Sequence, residues 1–260
     1  MKRLMPIFIV ILLSGCGILT AYAPNMLSMI VVAVMGVVVL LGIIYGLIPV
    51  LTFTQGLLTG QKRIQRASEA EEKSVWITAL QMDRFFRQKK MDQLFREYRD
   101  KVKQQRQNGQ IVSDLEDILN EDVLALYSWQ GVVAQIPGTL TGLGILGTFI
   151  GLLRGLRNIN FVTVEAALSS VQSILTGIDT AFYTSIAGVI LSILFNISNN
   201  ILRNTMDREM GIFLEVFHRV VLPTTQEQER YRSRRETRQI MDLLDRLPKK
   251  DDYSASGMGA

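Results

Sequence analysis

Charge is absent from long stretches of this chain and crowded into others, and that alternation sets the architecture. From Leu4 to Gly60 there is no Asp, Glu, Lys or Arg. As helix at about 1.5 Å per residue, this stretch would measure roughly 85 Å, nearly three times a hydrocarbon core of about 30 Å. It has to turn back. Ala23-Pro24-Asn25 supplies the turn, because Pro removes a donor and Asn favours turn geometry. The pattern therefore predicts a helical hairpin with arms Met5 to Ala21 and Met26 to Val50.

A second charge-free run, Val123 to Leu153, includes the polar Ser128 and Gln130, which places a third crossing nearer Val132 to Leu153. Apolar periodicity resumes after Arg154, Arg157 and Glu165, and Thr180 to Leu202 is again uncharged, giving a fourth span. The expected fold is an all-α integral membrane protein with four transmembrane helices. Its divisions are 1–60, the hairpin; 61–131, a cytoplasmic helical segment; 132–202, a pair of helices; and 203–260, a cytoplasmic helical tail with a disordered end.

Basic residues give the orientation. Of 28 Lys and Arg, 26 fall in residues 2–3, 61–122 and 203–260, leaving Arg154 and Arg157 on the other side. By the positive-inside rule both termini and the middle segment are cytoplasmic, and the chain belongs in a bacterial inner membrane. The formal charge of +4 is this signature, so it carries no separate call for nucleic acid. Met1-Lys2-Arg3, an apolar core and Leu13-Ser14-Gly15-Cys16 also have the shape of a lipoprotein signal with Cys16 as the acylated residue. That reading leaves three spans and the same topology.

In the middle segment, Trp76, Leu80, Phe85, Phe86, Leu94, Phe95 and Tyr98 recur among good helix formers, which predicts one or two amphipathic helices. They form either a collar that meets other subunits or a solvated hairpin. Ser113-Asp114-Leu115-Glu116 has capping-box spacing and predicts a helix running into the third span. In the tail, Met206, Met210, Phe213, Leu214, Val216 and Phe217 predict another helix, broken at Pro223, and the basic run Arg230 to Arg238 faces lipid headgroups or water.

The chain has one His and one Cys, which excludes a His/Cys metal cluster and a disulfide framework. No nucleophile–base set accompanies His218, so an enzyme is not expected. The residues of interest lie in the last two spans. Gly147, Gly151 and Gly155 recur every fourth position, a face of bare backbone that another helix can approach closely. Thr141, Gly144, Thr148 and Gly151 share nearly one face. In the fourth span Thr180, Thr184 and Gly188 align, with Ala181, Ser185 and Ser192 beside them. Such stripes serve helix packing, or they line a narrow polar path for an ion. Periodicity does not choose between the two.

Leu143-Gly144-Ile145-Leu146-Gly147-Thr148-Phe149-Ile150-Gly151 resembles the Gly-Leu-x-Gly-Thr-x-x-Gly core of the MotA/TolQ/ExbB proton-channel family, and Asp179 to Gly188 is similar to that family's final span. The order of elements matches as well. The resemblance implies an A-type subunit, five copies of which surround two copies of a single-span B-type subunit whose transmembrane Asp takes up and releases protons. It maps Thr148, Thr184 and Ser185 onto ring positions facing that Asp, and Asp179 onto an acidic position near the periplasmic end. Thr141 and Thr180 join that ion pathway, while Gly144, Gly147, Gly151, Gly155 and Gly188 are assigned to helix packing. No cofactor is implied, only a transported ion, H⁺ or Na⁺.

The family has Pro where this chain has Thr141, and Pro137 lies one turn earlier, which moves an expected kink toward the cytoplasm. The two motifs look most like the ZorA subunits of Zorya anti-phage systems, which continue into a long helical tail where this chain is expected to have a short one. A defence motor, a flagellar-type stator, an ExbB-like energiser of outer-membrane processes and a non-conducting scaffold all remain open at this point.

Overall fold

The computed structural model describes residues 5–69, 84–108, 110, 112–157, 159, 162–222, 229–230, 233–234, 236–238 and 240–241. Among them every regular element is helical, and three helical stretches are long and apolar enough to cross a membrane: Met26–Arg66, Leu115–Arg157 and Val164–Val220. A shorter apolar helix, α1 (Met5–Ala21), precedes them. Trp76 and Leu80 lie outside the described residues.

The hairpin forms where expected. α2 (Met26–Gly42) starts at Asn25, whose side chain accepts from the Ser28 amide (3.0 Å), while the Asn25 amide donates back to Ser28 Oγ (3.2 Å). This reciprocal cap satisfies donors that a helix start otherwise leaves open inside an apolar phase. The second arm does not stop at Val50. It continues through a π-helical turn (Ile43–Leu47) into α3 (Ile48–Glu69), so one rod carries both the span and the polar segment beyond it. The extra residue of a π turn shifts the helix face. Here it places Gly42 against Ile136 and Phe195, and Gly46 against Val133.

The approach to the third span differs from expectation. Ser113 does not cap a helix, because Gln105 holds it: Gln105 Nε2 donates to Ser113 Oγ (2.6 Å) and the Ser113 amide donates to Gln105 Oε1 (3.0 Å). A single 3₁₀ turn (Leu115–Asp117) follows, then α5 (Glu121–Tyr127) capped by Asn120, and α6 (Gln130–Val133). Trp129, with φ of 51°, breaks α5 from α6. Only at Ile136 does the long helix α7 (Ile136–Arg157) begin. Pro137 sits in its first turn, where the missing N–H costs nothing, so it starts the helix rather than kinking it.

α8 (Val164–Val220) is far longer than the uncharged run Thr180 to Leu202 inside it. Thr163 caps it, accepting from the Ala166 amide (3.1 Å). α8 packs along α7 for most of that helix and continues alongside α3. Its far end joins α4 (Lys89–Gln107) in an aromatic module. Phe85 stacks on Phe95 (4.6 Å between centroids), Phe86 meets Phe213 (5.2 Å), and Phe217 meets Tyr98 (5.9 Å). Residues 84–88 are tied down on both sides: Arg63 of α3 donates to the Arg84 and Phe85 carbonyls, and Asp92 Oδ1 accepts from the Phe86 amide (2.7 Å). The apolar face of α4 is thus buried in its own chain. His218 is not alone either, for its Nδ1 lies 2.7 Å from Asp114 Oδ2, which links α8 to the segment before the 3₁₀ turn.

Candidate functional site

α7 and α8 run antiparallel with almost nothing between them. Gly144, Gly147, Gly151 and Gly155 are all buried on one face of α7, as their spacing predicts, and Gly177, Ala181, Thr184 and Gly188 meet them from α8. A methyl group added at Gly188 would lie 2.8 Å from the Leu140 carbonyl oxygen and 2.9 Å from Gly144 Cα. One added at Gly177 would lie 2.7 Å from both the Gly151 carbonyl oxygen and Gly155 Cα. In each case the obstacle is backbone, which cannot rotate away. Close approach of this kind maximises dispersion contacts where lipid offers no hydrophobic drive for helices to associate.

Gly177 is a seam residue that the sequence reading missed. The stripe of small residues on α8 extends one turn before Thr180 through Gly177, with the 177, 181, 184, 188 spacing of a single helix face.

The hydroxyls divide by where they point. Thr184 is fully buried beside Gly147 and donates to the Thr180 and Ala181 carbonyls (2.9 and 3.1 Å). Thr180, also buried, donates to the Thr176 carbonyl (2.8 Å) and accepts from Asn25 Nδ2 (2.5 Å), which ties the turn of the first hairpin to α8. Tyr183 adds a second tie by donating to the Leu19 carbonyl (2.5 Å). Thr148 is only half-buried. Its hydroxyl lies 3.1 Å from the Gly144 carbonyl and 3.3 Å from that of Ala181, so it sits at the edge of the seam and bridges the two helices. Thr141, half-buried, bonds the Pro137 carbonyl (3.1 Å), Ser185 is half-buried, and Asp179 is exposed. The structure therefore brings Thr148, Thr184 and the glycines together, while Asp179 stands apart on the open side of α8.

Between Asp179 and Arg203 no charged side chain occurs on α8, and α7 has none before Arg154. A mobile proton in this region could be carried only by hydroxyls, water or a group from outside the chain. Among the described residues no group of His, Cys, Asp and Glu could hold a metal ion. Gln130, buried at the start of α6, has neither amide atom hydrogen-bonded, a feature with no sign in the sequence.

A family profile described as the anti-phage protein ZorA of the Zorya type I system matches residues 12–206, which takes in most of the hairpin, α4 and the seam and stops before Phe213 and Phe217. Two curated relatives agree with it. Zorya protein ZorA of Escherichia coli strain Crooks is 47% identical over 60 residues, 23% of this chain and 10% of that protein. Zorya protein ZorA of Escherichia coli O139:H28 is 43% identical over 60 residues, 23% of this chain and 8% of that protein. The matched stretch is thus about a tenth of the length of these relatives. The chain belongs to the ZorA-like family.

Proposed function

We propose that this ZorA-like chain is the A-type subunit of an ion-driven rotary motor used in anti-phage defence. In this reading five copies form a ring around two single-span B-type subunits, and a transmembrane Asp on each of those carries the proton. The chain itself performs no enzymatic step and needs no cofactor. It crosses the inner membrane with α1, α2, α7 and α8, with both termini and the aromatic module in the cytoplasm.

The observation that carries the reading is Thr148, a half-buried hydroxyl at the edge of a seam whose other hydroxyls, Thr180 and Thr184, are buried, in a span with no carboxylate of its own. A hydroxyl can donate to a carboxylate or accept from a carboxylic acid, so a ring of them offers the partner Asp equivalent stations in either protonation state. Protonation would then change which station the Asp prefers, and ion flow would drive rotation. Asp179, exposed at the turn end, would draw cations toward the path; H⁺ and Na⁺ both suit such groups.

The test is ion flux in vesicles together with native mass. Thr148→Val should cut flux at least about tenfold, the size of effect expected from losing one charge-stabilising group of about 1.4 kcal/mol, with the ring unchanged, and Asp179→Asn should cut flux by a similar factor. Wild-type flux in both variants would remove the channel assignment. A non-conducting scaffold is the second reading, and one observation favours it: the hydroxyls of Thr141, Thr148, Thr180 and Thr184 all reach backbone carbonyls, as packing threonines do. An ExbB-like energiser would share the flux result and differ in the load.

A further inference from the structure

The seam fixes the relative height of residues on its two helices. Gly155 lies against Gly177 and Gly151 against Ala181, so Arg154 and Asp179, both between those pairs, stand within about one residue's rise of the same level on opposite arms. Both are exposed, and no ion pair joins either of them to another of the described residues. The turn of the first hairpin is held at this level, where Asn25 bonds Thr180 and Tyr183 bonds Leu19. Beyond it the α7–α8 hairpin continues with most of its outer face exposed among the described residues: Val164 to Asp179 alone is roughly 24 Å of helix.

This overhang exposes large apolar side chains. Leu153 and Leu156 on α7 are 69% and 54% accessible, and Leu168, Val171 and Leu175 on α8 are 67%, 50% and 60% accessible. Leu168, Val171, Leu175, Asp179 and Phe182 follow helical spacing, so the acid sits within an apolar stripe. Lipid is a poor cover for it. The uncharged run Thr180 to Leu202 already measures roughly 34 Å, a full hydrocarbon thickness, and the overhang beyond it carries Arg154, Arg157, Glu165 and Asp179. An exposed apolar patch with charges inside it marks a protein contact.

The charges also say which protein. On the described overhang both cations are on the α7 arm and both anions on the α8 arm. We infer that the α7 arm of one copy docks on the α8 arm of the next outside the hydrocarbon core, with Arg154 facing the neighbour's Asp179 between the two apolar stripes. A contact between two different faces of identical chains is heterologous, the type of contact that builds a ring when its rotation closes. The inference rests on the ring proposed above and adds the surface that builds it.

Cross-linking tests it in the full chain. On a Cys16→Ser background, Arg154→Cys with Asp179→Cys should, on mild copper-phenanthroline oxidation in native membranes, give a reducible ladder that ends at the full ring, while each single variant stays monomeric. A disulfide needs Cα atoms within about 7 Å, so a ladder reports direct facing. Monomer alone, with native mass still giving a ring, would overturn this interface and leave the ring reading standing. Monomer, with no ring in the wild-type chain by native mass either, would overturn both, and a cross-link to a different polypeptide would overturn this interface and show the overhang to be that partner's seat. Charge exchange provides a second arm. Arg154→Glu should reduce recovered ring about three- to fivefold, and adding Asp179→Arg should restore it; no restoration counts against the pairing.

Discussion

α8 is buried twice in opposite ways. Along α7 it is buried because side chains are missing: glycine, alanine and threonine let two backbones approach until an added methyl group would strike a carbonyl oxygen. At its far end the same helix is buried because side chains are large: Phe213 and Phe217 fill a core with Phe85, Phe86, Phe95 and Tyr98. The media explain the difference. In lipid, apolar bulk gains nothing from helix contact, so only close packing and hydrogen bonds hold the pair. In water, each large aromatic group removed from solvent is itself the driving force. A continuous helix makes the two regions mechanically one body while their chemistry stays separate.

The sharpest way to break that comparison is to put bulk where the seam excludes it. Gly177→Leu or Gly188→Leu should separate α7 from α8, with a cost of about 3 kcal/mol or more because the clash is with backbone. The readout is loss of monodisperse protein in detergent. By contrast Gly142→Leu, on an open side of α7 where an added carbon meets nothing within 4 Å, should leave the isolated chain folded. Equal damage at Gly142 and Gly188 would mean that the seam is not the principal contact of α7.

The reciprocal change removes bulk from the aromatic module. Phe213→Ala empties a fully buried site that touches Phe85 and Phe86, and should cost about 3–5 kcal/mol. Limited proteolysis should then cut between residues 84 and 120 while α7 and α8 stay protected. Cleavage within the seam at the same rate would show that the two regions fold as one unit.

How far the sequence could be read follows the same division. Four-residue glycine spacing has one strong meaning in a membrane helix, so the seam on α7 was legible; Gly177 escaped only because the partner stripe was traced from Thr180. The faces of α4 and α8 were legible from Phe95, Tyr98, Phe213 and Phe217. The hairpin's turn was legible from Pro24 and Asn25, but the ends of the longer helices were not, because uncharged runs mark the crossing and caps mark the helix: Thr163 starts α8 well before Thr180. The broken entry to α7 gave least warning. Trp129 takes a left-handed conformation for which Gly or Asn would be the usual sign, and Ser113, spaced as a cap, is taken by Gln105.

The finest test concerns a single hydroxyl in the aromatic module. Tyr98 is fully buried and donates to the Ser113 carbonyl (3.2 Å), which pins the segment leading to α5. Burial, and then the charges of Asp114 and Asp117, push its phenol well above the ordinary tyrosine range. An acid whose folded pKa is raised contributes stability that is whole below the unfolded value of about 10 and is lost as pH rises through the folded one. The module should therefore lose thermal stability above roughly pH 10, since unfolding releases the phenol to ionise. Tyr98→Phe should start about 1 kcal/mol less stable at neutral pH, from the missing hydrogen bond, and then decline less steeply on the alkaline side. The glycine seam contains no ionisable group, so its response should be flat over the same range. If the variant and the wild type fall in parallel, the alkaline sensitivity belongs to another group and Tyr98 is only a packing residue.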